Sequence, residues 1–248
     1  MWDDPAMDVQ DLGPLRARRV VKTSGTTSKS ADGAPLTVVL MHGYGAPGDD
    51  LVAMAGAISA PAGTTFVFPE APLALSDDPR MGDARAWWHI DIGRYERAIR
   101  QGTLEDLVKD VPAGMPEART AVEGMLDALA AETNAQGSRL VIGGFSQGSM
   151  IATDVVLRSK RPFAGLVVLS GTLLAAGDWL PALASRKGLP VFQSHGIQDP
   201  ILPFPIAQSL HHAFVEAELT SVFLEFDGGH GIPPNVMRDL GQWLTQLK

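Results

Sequence analysis

Residues 139–158 read RLVIGGFSQGSMIATDVVLR, and the reading of this stretch decides the fold. Arg139–Gly143 is a short, apolar, strand-like run, and Gln147–Arg158 is patterned as a helix. Between them stands Gly144-Phe145-Ser146-Gln147-Gly148, a G-x-S-x-G. Alone the pentapeptide says little, because glycine and serine are common. Between a strand and a helix it describes a sharp turn that lifts a serine hydroxyl clear of the sheet for nucleophilic attack. Such a turn strains the serine backbone and leaves room only for small residues two positions to either side. The other reading is a glycine-rich turn in which Ser146 is a helix N-cap.

Outward from this unit the pattern repeats in type. Leu36–Met41, Thr64–Phe68, Gly165–Leu169, Pro190–Ser194 and Ser221–Phe226 are further strand candidates, several apolar throughout as expected of parallel strands covered on both faces. Between them lie helical patterns. In 116–132 the residues Ala118, Val122, Met125, Leu126 and Leu129 share one face, and behind Pro233-Pro234 so do Val236, Leu240, Trp243, Leu244 and Leu247. Alternating strands and helices predict an α/β fold with a mostly parallel central sheet and helices on both faces. One domain is expected over 36–248, preceded by an extension, 1–35, in which Leu15–Lys22 is read as an edge strand with its arginines facing water. The stretch 70–115 is too long for an ordinary connection and is read as a flap over the carboxyl ends of the strands, where ligands bind in such sheets.

The chain has 248 residues, 45% of them hydrophobic, enough to bury a core without a staple. It has no cysteine, which excludes disulfide scaffolds, thiolate metal sites and a cysteine nucleophile. A net charge of −8 without a basic run argues against nucleic acid or anionic lipid as the main partner. The beginning, MWDDPAMDVQDLG, is acidic and shows no signal peptide, and no apolar run is long enough to span a membrane. A cytoplasmic protein without stable membrane insertion is the expectation.

A serine hydroxyl needs a base, and the base needs an orienting acid; after an elbow serine these follow in the order acid, histidine. His230, in the GGHG loop between the last strand and the last helix, is read as the base. His211 and His212 fall within a helical run, and His195 ends a strand with its ring packed or hydrogen-bonded locally. Asp199, in HGIQDP, is read as the acid; the alternative is a plain turn aspartate before Pro200. Asp227 is too close to His230 in the chain to orient it from behind, and Asp178 is read as a helix cap. For the developing oxyanion the donors are the backbone N–H of Gln147 and that of Tyr44, in the MHGYGAPGDD loop. His42 in that loop, without a second histidine at ligand spacing, is read as structural and no metal site is expected.

Together the segments LTVVLMHGYGAPGDDL, FPEAP, WWHIDI, GGFSQGSM, HGIQDPILP and GGHGIP resemble the carboxylesterase/phospholipase family of α/β-hydrolases, the group that includes acyl-protein thioesterases. The resemblance runs from about Leu36 to the end. It implies the α/β-hydrolase fold, ester hydrolysis through an acyl-enzyme without cofactor, Ser146 with Asp199 and His230 as partners, and Tyr44 and Gln147 as oxyanion donors. Where the family often has leucine, this chain has Tyr44, whose ring narrows or roofs the pocket. Homodimers are plausible for such a family. Its Trp–Asp segment near the acyl site is matched by Trp87-Trp88-His89-Ile90-Asp91. Two readings are open for each tryptophan, a wall of the acyl pocket or a filler of the core beneath the flap. Leu75, Met81 and Leu73 are further candidates for the wall.

The expected function is a serine carboxylesterase acting on small-molecule esters of short to medium acyl chains. A thioesterase or lysophospholipase with the same machinery is the alternative. A binding module that has kept the fold and lost catalysis is disfavoured by the presence of both Ser146 and His230.

Overall fold

The computed structural model describes residues 8–23, 35–76, 82–132 and 139–247, apart from the side chains of 92, 96, 99 and 104–106. In chain order the elements are β1 (Asp8–Leu12), β2 (Leu15–Val21), β3 (Leu36–Met41), α1 (Met54–Ala57), β4 (Thr65–Pro69), β5 (Leu73–Ala74) and β6 (Arg85–Ala86). Then come α2 (Ile92–Gln101), α3 (Leu104–Lys109), α4 (Met115–Glu132), β7 (Arg139–Phe145), α5 (Gln147–Arg158) and β8 (Gly165–Leu169). The chain closes with α6 (Ala176–Leu183), β9 (Pro190–Gly196), α7 (Phe204–Glu216), β10 (Thr220–Phe226) and α8 (Pro234–Gln246).

Eight strands form one sheet in the order β1-β2-β4-β3-β7-β8-β9-β10. Five of its seven pairings are parallel; only β1–β2 and β2–β4 are antiparallel. The reason lies in the residues: every position of LTVVLM in β3 and of GLVVL in β8 is buried, as strands covered on both faces require. Two apolar clusters lie on the two faces. One gathers α4 to α7 through Leu126, Val155, Trp179 and Phe214; the other gathers α1 and α8 through Met54, Val236 and Leu240. This is the mostly parallel α/β arrangement expected from the alternating pattern, and it agrees with the α/β-hydrolase fold that the resemblance implies.

The N-terminal segment departs from expectation. β2 is not the sheet edge, because β1 pairs along its outer side in antiparallel register. Nor do all its arginines face water. Arg18, its side chain only 12% exposed, pairs with Glu70 at 3.1 Å, and Arg19 pairs with Glu132 at 2.8 Å. The partners come from the flap and from the end of α4, far away in the chain. The flap itself holds the ribbon β5–β6 and the helices α2 and α3. Among the described residues no helix is long and apolar enough to cross a membrane.

Topology sets the site. Tyr44 follows β3, Ser146 follows β7, Asp199 follows β9 and His230 follows β10. All four strands are parallel neighbours in the sheet or separated only by β8, so their carboxyl ends, and these residues, lie along one rim.

Candidate active site

Ser146 adopts φ 53°, ψ −123°, a conformation that non-glycine residues reach only where the surroundings enforce it. The enforcement is visible. The Ser146 N–H donates to the Leu169 carbonyl at 2.8 Å, and its own carbonyl accepts from Ser149 N–H at 3.0 Å. A Cβ on Gly144 would stand 2.3 Å from the Met41 carbonyl oxygen, and one on Gly148 only 2.0 Å from it. The turn therefore lies against β3 too closely for any side chain at either glycine. Ser146 occupies the N-cap position of α5, yet its side chain makes no capping bond, and the residue lines a cavity. The helix-cap reading fails on that point.

His230 lines the same cavity, its ring 4.8 Å from that of Phe145. Its Nδ1–H donates to Asp199 Oδ2 at 2.7 Å. Asp199 is more than a turn residue. Its Oδ1 accepts the N–H groups of Ile201 at 2.8 Å and Leu202 at 2.9 Å, and its Oδ2 also lies 3.3 Å from Nε2 of His195. Burial alone would raise the pKa of this carboxyl. The hydrogen bonds from His195, His230 and the Leu202 N–H outweigh burial and hold it well below the usual carboxylate range. His195, expected only to pack or bond locally, thus shares the acid with His230. The remaining candidates stand elsewhere. His211 bonds Ser221 at 3.1 Å beside the edge strand β10, and Asp227 accepts from Gln198 at 2.7 Å. Asp178 lies in the first turn of α6 rather than at its cap and pairs with Arg158.

Tyr44 and Gln147 both line the cavity. The Tyr44 loop is stitched to the flap by Gly45 N–H to the Arg85 carbonyl at 2.8 Å and Arg85 N–H to the Ala46 carbonyl at 3.1 Å. His42 is structural, as expected. Its Nδ1–H donates to the Gly43 carbonyl at 2.9 Å, and its Nε2 accepts the Ala71 N–H at 3.0 Å. Burial lowers its pKa, so the neutral ring with a fixed tautomer is favoured.

Of the two adjacent tryptophans, Trp88 borders the cavity and Trp87 does not. Trp88, 3% exposed, lines the cavity. Trp87, 1% exposed, is not among the lining residues; it sits in the core with its Nε1–H donating to the His42 carbonyl at 2.9 Å. The acyl-wall reading of Trp87 is corrected accordingly: its indole is buried in the core and its N–H is committed to the His42 carbonyl. Leu75 and Leu73 are also absent from the lining, because they belong to the β5–β6 ribbon side of the flap, where Leu75 N–H bonds the Ala84 carbonyl at 2.8 Å. Met81 lies outside the described residues.

The cavity has a volume of about 850 Å³, towards the upper end of small-molecule sites at roughly 300–1,000 Å³. Its wall is mainly apolar, with Phe145, Met150, Leu173, Leu174 and Ile206 from the sheet side facing Leu107 and Val111 from the flap. None of these was singled out from the sequence. Met150 alone carried a signal, since it lies one helical turn beyond Ser146. Tyr95 of α2 also lines the cavity; burial first, and the Asp199 charge second, raise its pKa, so its phenol stays a hydrogen-bond donor.

The sequence profile described as phospholipase/carboxylesterase matches residues 24–248. Acyl-protein thioesterase 1 of Eremothecium gossypii is 28% identical over 220 residues, which cover 84% of this chain and 86% of that protein. Acyl-protein thioesterase 1 of Kluyveromyces lactis is 27% identical over 241 residues, 94% of this chain and 98% of its relative. Among solved structures, the esterase PE8 superposes with a TM-score of 0.74 at 25% identity, covering 94% of this chain and 99% of the other. A carboxylesterase from Mesorhizobium loti, at 14% identity over 97% and 99% of the two chains, shares the fold with a TM-score of 0.71.

Proposed function

Since the chain belongs to the phospholipase/carboxylesterase family and is a serine hydrolase of the α/β-hydrolase fold, we propose that it cleaves carboxylic esters of short to medium acyl chains through an acyl-enzyme on Ser146. The observation that carries this reading is the convergence on one apolar cavity of Ser146, in its strained turn, and His230, whose Nδ1–H is held by Asp199 at 2.7 Å.

The chemistry follows from the positions. Ser146 Oγ attacks the acyl carbonyl while His230 Nε2 takes its proton, and the imidazolium so formed is stabilised by the Asp199 carboxylate. The carbonyl oxygen, now negative, accepts hydrogen bonds from the backbone N–H groups of Gln147 and Tyr44, each commonly worth about 3 kcal/mol in the transition state. Collapse breaks the bond to the leaving alkoxide, which takes the proton from His230. Water, deprotonated by the same nitrogen, then releases the acid and restores Ser146.

The alternative leaving group is a thiolate or a lysophospholipid headgroup. The relatives named acyl-protein thioesterase favour the thioester over the lipid. The test is turnover of p-nitrophenyl esters from acetate to palmitate, and of thioesters of the same acyl chains, by the wild type and by Ser146→Ala. Ester turnover that vanishes in the variant supports the reading; thioesters turned over far faster than esters of equal length select the alternative. Equal turnover by the variant would overturn both.

A further inference from the structure

We propose that His195 is a positioning residue for the Asp199–His230 pair, its Nε2–H holding Asp199 Oδ2 in place while His230 bonds the same oxygen. The proposal rests on the reading of Ser146, Asp199 and His230 given above, and it concerns a histidine which that reading does not use.

The imidazole of His195 is wholly buried, 0% exposed. Its Nε2 lies 2.8 Å from the Leu202 carbonyl and 3.3 Å from Asp199 Oδ2. A carbonyl only accepts, so Nε2 carries the hydrogen and shares it between the two oxygens. The tautomer leaves Nδ1 as an acceptor, and among the described residues that nitrogen has no donor. Burying an unpaired ring nitrogen is unfavourable, and a leucine or phenylalanine would fill the same space beside the Phe204 ring, 6.1 Å away, without that penalty. What only the imidazole supplies here is the Nε2–H.

That donor closes a ring of contacts. Leu202 gives its N–H to Asp199 Oδ1 and its carbonyl to His195, and His195 returns to Asp199 Oδ2. Each carboxylate oxygen thereby has a donor besides His230, which restrains the carboxylate from swinging off the His230 Nδ1–H as charge develops. A second donor on Oδ2 also draws off electron density, which weakens the pull of Asp199 on the proton it shares with His230. Among the described residues, the titratable groups facing Asp199 are His195 from β9, His230 from the loop after β10 and Tyr95 from α2. Glu225, the register partner of His195 on β10, is exposed and interacts with His211.

The test compares pH profiles of kcat/KM for p-nitrophenyl butyrate in wild type, His195→Leu, His195→Asn and His195→Gln, with melting temperatures alongside. Glutamine places an amide N–H where Nε2 stands; asparagine reaches only as far as Nδ1, and leucine has no donor. We expect leucine and asparagine to lower kcat/KM about tenfold, the lower end for one hydrogen bond to a charged group, and to move the acid limb of the Asp–His pair to higher pH. Glutamine is expected to restore both to within about twofold of wild type. If leucine fails to fold, asparagine against glutamine carries the comparison. Acid limbs that coincide in folded variants, or a glutamine variant no better than asparagine, would overturn the proposal. Activity surviving Ser146→Ala would instead sink the reading on which it rests, so the two failures are told apart.

Discussion

Gln147 holds Trp88: the Gln147 side-chain Nε2–H donates to the Trp88 carbonyl at 2.8 Å, and its Oε1 accepts the neighbouring Trp87 N–H at 3.0 Å. The residue after the serine therefore ties the flap to the turn, besides carrying the backbone N–H proposed as an oxyanion donor. From sequence only the second role was read. The backbone N–H belongs to any residue at that position, whereas the amide finds its partners some sixty residues earlier in the chain.

The first prediction separates the two roles. Gln147→Leu keeps the backbone N–H but leaves a buried N–H and a buried carbonyl of the flap without partners, each worth about 1–3 kcal/mol. Urea denaturation should show a loss of about 3 kcal/mol, and KM for octanoyl esters should rise more than kcat falls. A variant with unchanged stability and KM would mean that the flap is held by other contacts.

The second concerns the turn. A Cβ at residue 148 would sit 2.0 Å from the Met41 carbonyl oxygen, which neither backbone can yield without disturbing β3. Gly148→Ala is expected to lose about 3 kcal/mol or more and nearly all activity. Gly177→Ala in α6 meets nothing within 4 Å and should gain about 0.5–1 kcal/mol. Thermal unfolding of the pair checks both signs at once; a tolerated alanine at 148 would contradict the close approach of turn and strand.

The fold and the turn at Ser146 were legible because their constraints are local or periodic. Gly144, Ser146 and Gly148 lie within five residues, and β3 and β8 announce their burial by composition. β1 was not read, because DVQDL is polar and pairs along one side only, which leaves no apolar pattern. Trp87 and Trp88 are adjacent in a bend after β6, and what commits Trp87 to the core is the His42 carbonyl, 45 positions away. Arg18 and Glu70 met for the same reason: strand neighbours are set by topology rather than by spacing.

The third prediction follows from Asp199, whose pKa in the folded chain lies below the unfolded value, about 3.9. A depressed folded value means that the contribution to stability is complete above about pH 4 and is lost as pH falls through the folded value. Denaturation free energies of the wild type and of Asp199→Asn should differ most at neutral pH and converge below about pH 4. Curves that remain parallel into acid would show that the carboxylate is not stabilised by its donors.

The fourth concerns acyl length. Each methylene taken from water is worth about 0.8 kcal/mol, so two of them seated in the cavity already raise kcat/KM about tenfold. Octanoyl esters are expected to exceed acetyl esters by at least that factor, and Met150→Trp, which fills the wall near Ser146, should move the optimum to shorter chains. An optimum at acetyl in the wild type would count against the cavity as the acyl site.

The most direct measurement is intact-mass analysis after treatment with a fluorophosphonate, with peptide mapping of the adduct and the Ser146→Ala variant in parallel. The account predicts one adduct per chain, located on Ser146, absent from the variant and suppressed by a medium-chain ester. A stoichiometric adduct on another residue, or equal labelling of Ser146→Ala, would contradict the assignment of Ser146 as the nucleophile.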